Sequence, residues 1–304
     1  MTTIAPPPPP PAPPVTPPPA PPASPPPLSP GGRNVFRVLL VVAAVAILLG
    51  TVVTLGAVAF GLSTFRAITD SKPLPNDMRS LVVDTGKLPM AVRISADRNA
   101  TEPRADMRMV NSTRASDQPL DVSDNEAGTR ISIKAEPSSF LQWGRAGEIH
   151  VVLPPELARR LTVTAQQENG ALMAQADVDE LVARMTHGAI LLSGSARRME
   201  LHNVDGDIIT REPVTVVESF SATTAHGDIG VDFKGAAPRT LTASTDDGDV
   251  RIGLPPRGPY LVNASTGDRD GTWVRVPRTS DPKNAVAEIT ARSANGDVLI
   301  DELR

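Results

Sequence analysis

The chain has 304 residues, with 32 prolines, no cysteine, 3% aromatics and a formal charge of −4. The missing cysteines exclude disulfides and thiolate-held metals. Beyond residue 65 the chain carries 28 basic and 34 acidic side chains, a net of −6, which opposes nucleic-acid binding.

Residues 2–30 hold 17 of the 32 prolines and no charged side chain. Such a composition cannot bury a core, so residues 1–34 are predicted to be a disordered, locally polyproline-like tail. It reads as a spacer, with a signalling arm as the alternative.

Residues 38–65 then run for 28 positions without a charge, between Arg37 and Arg66. About 20 apolar residues cross a bilayer, so 35–65 is predicted to be a transmembrane signal-anchor helix. Ala57-Val58-Ala59 resembles a signal-peptidase site. The apolar run ahead of it, however, is longer than the 7–15 or so residues of a cleavable signal core. Arg33 and Arg37 on one flank against Arg66, Lys72 and Arg79 on the other leave the positive-inside count undecided. A large cysteine-free β-domain behind one anchor points to a cell-membrane protein with a cytoplasmic N-terminus and an extracytoplasmic C-terminal domain. Residues 66–77, with Pro73 and Pro75, predict a linker, and 78–304 a β-repeat domain. Within that domain the polar stretches 96–106 and 111–128 predict loops.

The domain is organised by a repeated turn. Asn169-Gly170, His187-Gly188, Asp205-Gly206, His226-Gly227, Asp247-Gly248, Thr266-Gly267 and Asn295-Gly296 are separated by 18, 18, 21, 21, 19 and 29 residues, glycine to glycine. A period near twenty marks a stacked repeat architecture. Seven positions before the glycines stand Val163, Leu181, Met199, Phe220, Leu241, Tyr260 and Ile289, all large and apolar. Five before stand Ala165, Ala183, Leu201, Ala222, Ala243, Val262 and Ala291. Alternation of this kind puts one face of each strand inward, and suits a hairpin as well as a solenoid corner. The alanine column decides for a solenoid, because small residues recur at one register only when equivalent positions stack. Repeat six breaks the pattern with Arg269 and Gly271, which predicts a loop or irregular coil there. Residues 147–155, Gly-Glu-Ile-His-Val-Val-Leu-Pro-Pro, align without a gap with 248–256, Gly-Asp-Val-Arg-Ile-Gly-Leu-Pro-Pro. The N-terminal part therefore reads as a diverged portion of the same sheet system. The predicted fold class is all-β: a β-solenoid-like repeat domain behind a proline-rich tail and one membrane helix.

The phrases Asp205-Gly206-Asp207-Ile208, His226-Gly227-Asp228-Ile229, Asp247-Gly248-Asp249-Val250 and Asn295-Gly296-Asp297-Val298 resemble a bacterial adhesin-like family, itself a domain of unknown function. The resemblance covers about 130–303, more weakly back to 80. It implies a membrane-anchored β-repeat domain facing the envelope exterior, and it brings no catalytic residues.

Asp207, Asp228, Asp249, Asp268 and Asp297 each follow a glycine and form a column that could hold a catalytic carboxylate pair or calcium. A recurring short acid at a turn is better read as an acceptor of backbone N–H bonds. Calcium would centre on 246–249 or 268–271, but neither the nonapeptide nor the EF-hand spacing occurs. His150, His187, His202 and His226 lack zinc spacing. A carbohydrate-active β-helix, the alternative function, would need an exposed Trp143 or Trp273 beside carboxylates. The sequence thus predicts no catalytic, cofactor or metal site. Its expected partners are the membrane and a cell-envelope or surface partner.

Overall fold

The structure, a computed structural model, describes residues 44, 47, 48, 50–52, 54, 65–112, 118–126, 128–134, 147–267 and 271–303. Chain contacts separate Met1–Gly61 from Leu62–Arg304. The described residues of the first unit are helical. Among the described residues no helix is long and apolar enough to cross a membrane. The tail expected over 1–34 and most of the anchor expected over 35–65 lie outside them.

The second unit is almost wholly β. Its first strands are β1 (Phe65–Pro73), β2 (Ser80–Gly86), β3 (Met90–Ala96), β4 (Arg104–Ser112), β5 (Leu120–Asn125), β6 (Gly128–Ile133) and β7 (Gly147–Leu153). After one helical turn, Pro155–Ala158, come β8 (Thr162–Gln175), β9 (Val178–Leu192), β10 (Ser195–His202), β11 (Ile208–Thr210), β12 (Thr215–His226) and β13 (Ile229–Asp232). The last are β14 (Thr240–Asp247), β15 (Val250–Leu254), β16 (Leu261–Ser265), β17 (Thr272–Arg275), β18 (Glu288–Asn295) and β19 (Val298–Glu302). Two expectations are corrected. The linker placed at 66–77 is mostly β1, paired with β4, and the polar stretch 111–128 contains β5. The loop expected over 96–106 runs from Asp97 to Pro103 and enters β4 at Arg104.

Hydrogen bonding arranges these strands into two sheets joined at the glycine corners. One runs β5-β6-β2-β8-β9-β10-β12-β14-β18-β16, the other β1-β4-β7-β3-β8-β9-β11-β13-β15-β19-β17. β8 and β9 are long enough to turn the corner and serve both. The inner faces share a single core, in which Phe220 of the first sheet meets Phe233 of the second edge-on, with ring centroids 5.1 Å apart.

Register confirms the stacking. Leu81, Val163, Leu181, Met199, Phe220, Leu241 and Ile289 form one inward row, and Val83, Ala165, Ala183, Leu201, Ala222, Ala243 and Ala291 the next. Parallel strands about 4.8 Å apart bring identical positions into contact, so a residue type that suits one coil at this register suits its neighbours too.

Repeat six forms two strands, β16 and β17, joined through 266–271, and its register differs by two residues; Arg269, one of the two residues on which the loop or irregular coil is expected, lies outside the described residues. Val262, not Tyr260, lies in the row of Ile289, and Ala264, not Val262, in the row of Ala291. Tyr260 is buried in the connection before β16, where its hydroxyl donates to the Pro255 carbonyl at 2.5 Å.

Coil order in space departs from chain order at both ends. β18 and β19, last in the chain, lie between β14/β15 and the terminal coil β16/β17. At the other end β2 and β3 lie between β6/β7 and β8. The chain therefore skips one coil after β7 and one after β15. Pro154-Pro155 and Pro255-Pro256 open these two connections, which explains the duplicated phrase: proline offers no N–H, so the ladder stops there and the chain leaves.

The two ends are finished differently. β5, β4 and β1 extend the first coil with antiparallel pairings, and the buried carboxylate of Asp70 on β1 accepts the Leu120 N–H on β5 at 3.1 Å. Among the described residues β16 and β17 pair on one side only.

Candidate functional site

The corner is where the repeats concentrate their polar groups. Gly170, Gly188, Gly206, Gly227, Gly248 and Gly296 all have φ between 131° and 149°. A Cβ on Gly227 would stand 2.4 Å from the carbonyl oxygen of Gly206, and one on Gly248 2.2 Å from that of Gly227. Glycine is thus required twice over, by its own φ and by the coil beneath.

The aspartates after these glycines form a ladder. Oδ1 of Asp207 accepts the N–H of Asp228 at 2.9 Å, Asp228 that of Asp249 at 2.8 Å, Asp249 that of Asp297 at 2.8 Å, and Asp297 that of Gly271 at 2.8 Å. The acceptor role expected for the column is the observed one. Gly271, paired opposite Asp297, takes the column's place in the terminal coil; Asp268 and Asp270 lie outside the described residues.

A second ladder, three residues before each glycine, is buried and escaped the sequence analysis. Asn203 Nδ2 donates to the Gly188 carbonyl at 2.8 Å, Thr224 Oγ1 to Gly206 at 3.1 Å, Thr245 Oγ1 to Gly227 at 3.0 Å and Ser293 Oγ to Gly248 at 2.7 Å. Gln167 Nε2 gives the same bond to Met90, at 3.2 Å. The signal was present, a hydrogen-bonding residue at a fixed offset, but the side chains differ in type, and Met185 interrupts them.

One position before the glycines, Asn169, His187, Asp205, His226, Asp247 and Asn295 align in an exposed row. His187 Nδ1 is 3.4 Å from Asp205 and His226 Nδ1 3.9 Å from Asp247. His202 meets Thr223 Oγ1 at 2.8 Å, and His150 lies apart, on β7, with Nε2 2.7 Å from Ser95 Oγ. Burial, aided by Arg93, pushes the His150 imidazole below the usual histidine value. Among the described residues no group of three or more histidine and acidic side chains is arranged to hold a metal ion.

At the opposite corner Arg197 forks onto Asp179 at 2.8 and 2.9 Å and reaches Glu218 at 3.0 Å, which also accepts from Arg198 at 2.8 Å. Arg197 holds the Asp179 carboxyl, and Arg198 with Arg197 the Glu218 carboxyl, below the usual carboxylate range. The network stitches three successive coils.

The remaining candidate is a cleft of 390 Å³ on the terminal coil, lined by Val262, Ala264, Thr272, Trp273, Val274, Arg275 and Arg278. Trp273 is 44% exposed. Its neighbours in the cleft are arginines, whereas the carbohydrate-active alternative asked for carboxylates. Trp143 lies outside the described residues.

Residues 162–301 match the family model described as Toastrack DUF4097, which marks a domain of unknown function over that stretch. The match opens at the first residue of β8, and so leaves out coils that belong to the same stack. Among solved structures, a "putative adhesin" from Parabacteroides merdae is similar at 10% identity, covering 79% of this chain and 97% of that one with a TM-score of 0.43. A "putative adhesin" from Bacteroides fragilis is similar at 13% identity, over 78% and 97% of the two chains, with a TM-score of 0.38. A "putative lipid binding protein" from Parabacteroides distasonis gives 10%, 78%, 97% and 0.36 in the same order. No curated protein matches the chain.

Proposed function

We propose that the chain is a single-pass membrane-anchored envelope protein, whose β-stack is a non-enzymatic, adhesin-like surface for adhesion, scaffolding or sensing. The observation that carries this reading is the aspartate ladder. The most chemistry-like feature of the repeats, a column of carboxylates, is spent coil by coil on backbone N–H groups. A catalytic carboxylate needs an environment different from that of its partner, and equivalent positions in a stack do not provide one. The Toastrack match over 162–301 supports the same reading, since the resembling phrases lie within it.

In this reading the uncharged run 38–65 is the anchor, the proline-rich segment before it is cytoplasmic, and the stack meets an envelope or surface partner. Protease treatment of intact cells or spheroplasts carrying a C-terminal tag tests it. Cleavage of the tag from outside is expected. A tag that survives until the membrane is broken puts the stack in the cytoplasm and ends the envelope reading.

A further inference from the structure

We propose that the cleft on the terminal coil is a binding site for a carboxylated sugar residue, as found in an acidic glycan. This rests on the reading of the stack as a binding surface and adds the ligand class.

Three features of the cleft fit one ligand. Its floor is apolar: Val262 and Ala264 continue the inward rows of Ile289 and Ala291, and Val274 that of Ile300, with no coil beyond them among the described residues. Trp273, 44% exposed, offers an aromatic face on which a sugar ring can lie. Arg275 and Arg278 supply cationic forks suited to a carboxylate. Arg275 stands 3.6 Å from Asp301, and Arg278 has no ion-pair partner among the described residues. The one-sided edges of β16 and β17 add backbone donors and acceptors for hydroxyl groups. The volume of 390 Å³ suits one or two sugar rings.

The same edge could receive a second copy of this chain. Twofold pairing would bring Arg275 and Arg278 of both copies together, however, and like charges at one edge oppose it.

The test is a fluorescence titration of the full chain in detergent. The chain has two tryptophans, so a Trp143→Phe variant leaves Trp273 as the sole indole reporter. Tetragalacturonate is expected to change its emission saturably, and Arg278→Ala to weaken the binding about tenfold or more. Arg278 is exposed, so its removal should leave the melting temperature in place; Arg278→Gln repeats the measurement should the alanine variant misfold. Uncharged maltotetraose titrating equally well, tetraglutamate binding more tightly than the sugar, or an emission that no sugar alters would each overturn the proposal. The titration is independent of membrane sidedness, so a failed protease experiment and a failed titration point to different errors.

Discussion

The carboxylate of Asp228 accepts the backbone N–H of Asp249 at 2.8 Å, from one coil to the next. Removing it by Asp228→Ala leaves that N–H to water at an exposed corner. The expected cost is about 1 kcal/mol, or a fall of roughly 2–4 °C in melting temperature for a domain of this size. Asp228→Asn, which keeps an acceptor oxygen, should lose less than half of that. Thermal melts of the two variants beside the parent decide it.

Gly227→Ala should be far more damaging. Its φ of 142° is strained for any L side chain, and the new Cβ would meet Gly206 O at 2.4 Å. A loss of about 3 kcal/mol or more is expected, or failure to fold. Gly230→Ala is the control: its nearest neighbour would be the Ile209 side chain at 3.5 Å, an ordinary contact, so a change within about 0.5 kcal/mol is expected in denaturant unfolding.

Thr245→Val tests the buried ladder. It removes the donor to the Gly227 carbonyl while keeping the shape of the side chain, and should cost about 1–2 kcal/mol. Equal stability of the two proteins in urea would show that the backbone ladder alone suffices at this corner, as it does where Met185 stands.

Acid should weaken the stack in two stages. Burial holds the folded His150 below its ordinary value, so the unfolded chain takes up that proton first, near pH 6.5. Stability from this group is complete above that pH and is lost as pH falls below it. Asp179 and Glu218, held low by Arg197 and Arg198, are likewise ionised more readily when folded, and their contribution disappears below about pH 4. Urea midpoints between pH 3 and 8 should show both limbs. His150→Gln should flatten the upper one and Arg197→Ala the lower.

A chelator should leave the melting curve of the protein unmoved, because the ladder acceptors Asp207, Asp228, Asp249 and Asp297 already receive backbone N–H groups. A drop of several degrees in EGTA would instead assign calcium to the corner.

Much of the repeat could be read from residue order because the corner imposes itself on sequence. Positive φ demands glycine, the tight row beside it demands alanine, and the turn favours a short acid. Spatial order left a fainter mark, the two Pro-Pro pairs where the chain skips a coil, and none at repeat six: Val262 and Ala264 carry the right residues two positions from where a constant period places them, and only the register with Ile289 and Ala291 shows it. β5 hides in a stretch that reads as a loop because it caps an end and so carries the polar residues of a surface. The Trp273 cleft was half visible, as an exposed indole with an undetermined neighbourhood. Its arginines follow Trp273 closely in the chain, but the apolar floor beside them appears only with the terminal coil's place in the stack.

The insertion of β18/β19 beneath β16/β17 also sets the order of assembly. A stack that grew in the direction of synthesis would add each coil to the one just finished, but here the outermost coil must wait for strands made after it. Until then Leu241 and Ala243 on one side, and Val262 and Ala264 on the other, face a missing neighbour. A ribosome-bound chain halted before residue 288 should hold an unfinished, chaperone-binding end, and only completion of the last hairpin-free pair of strands converts it into the finished stack.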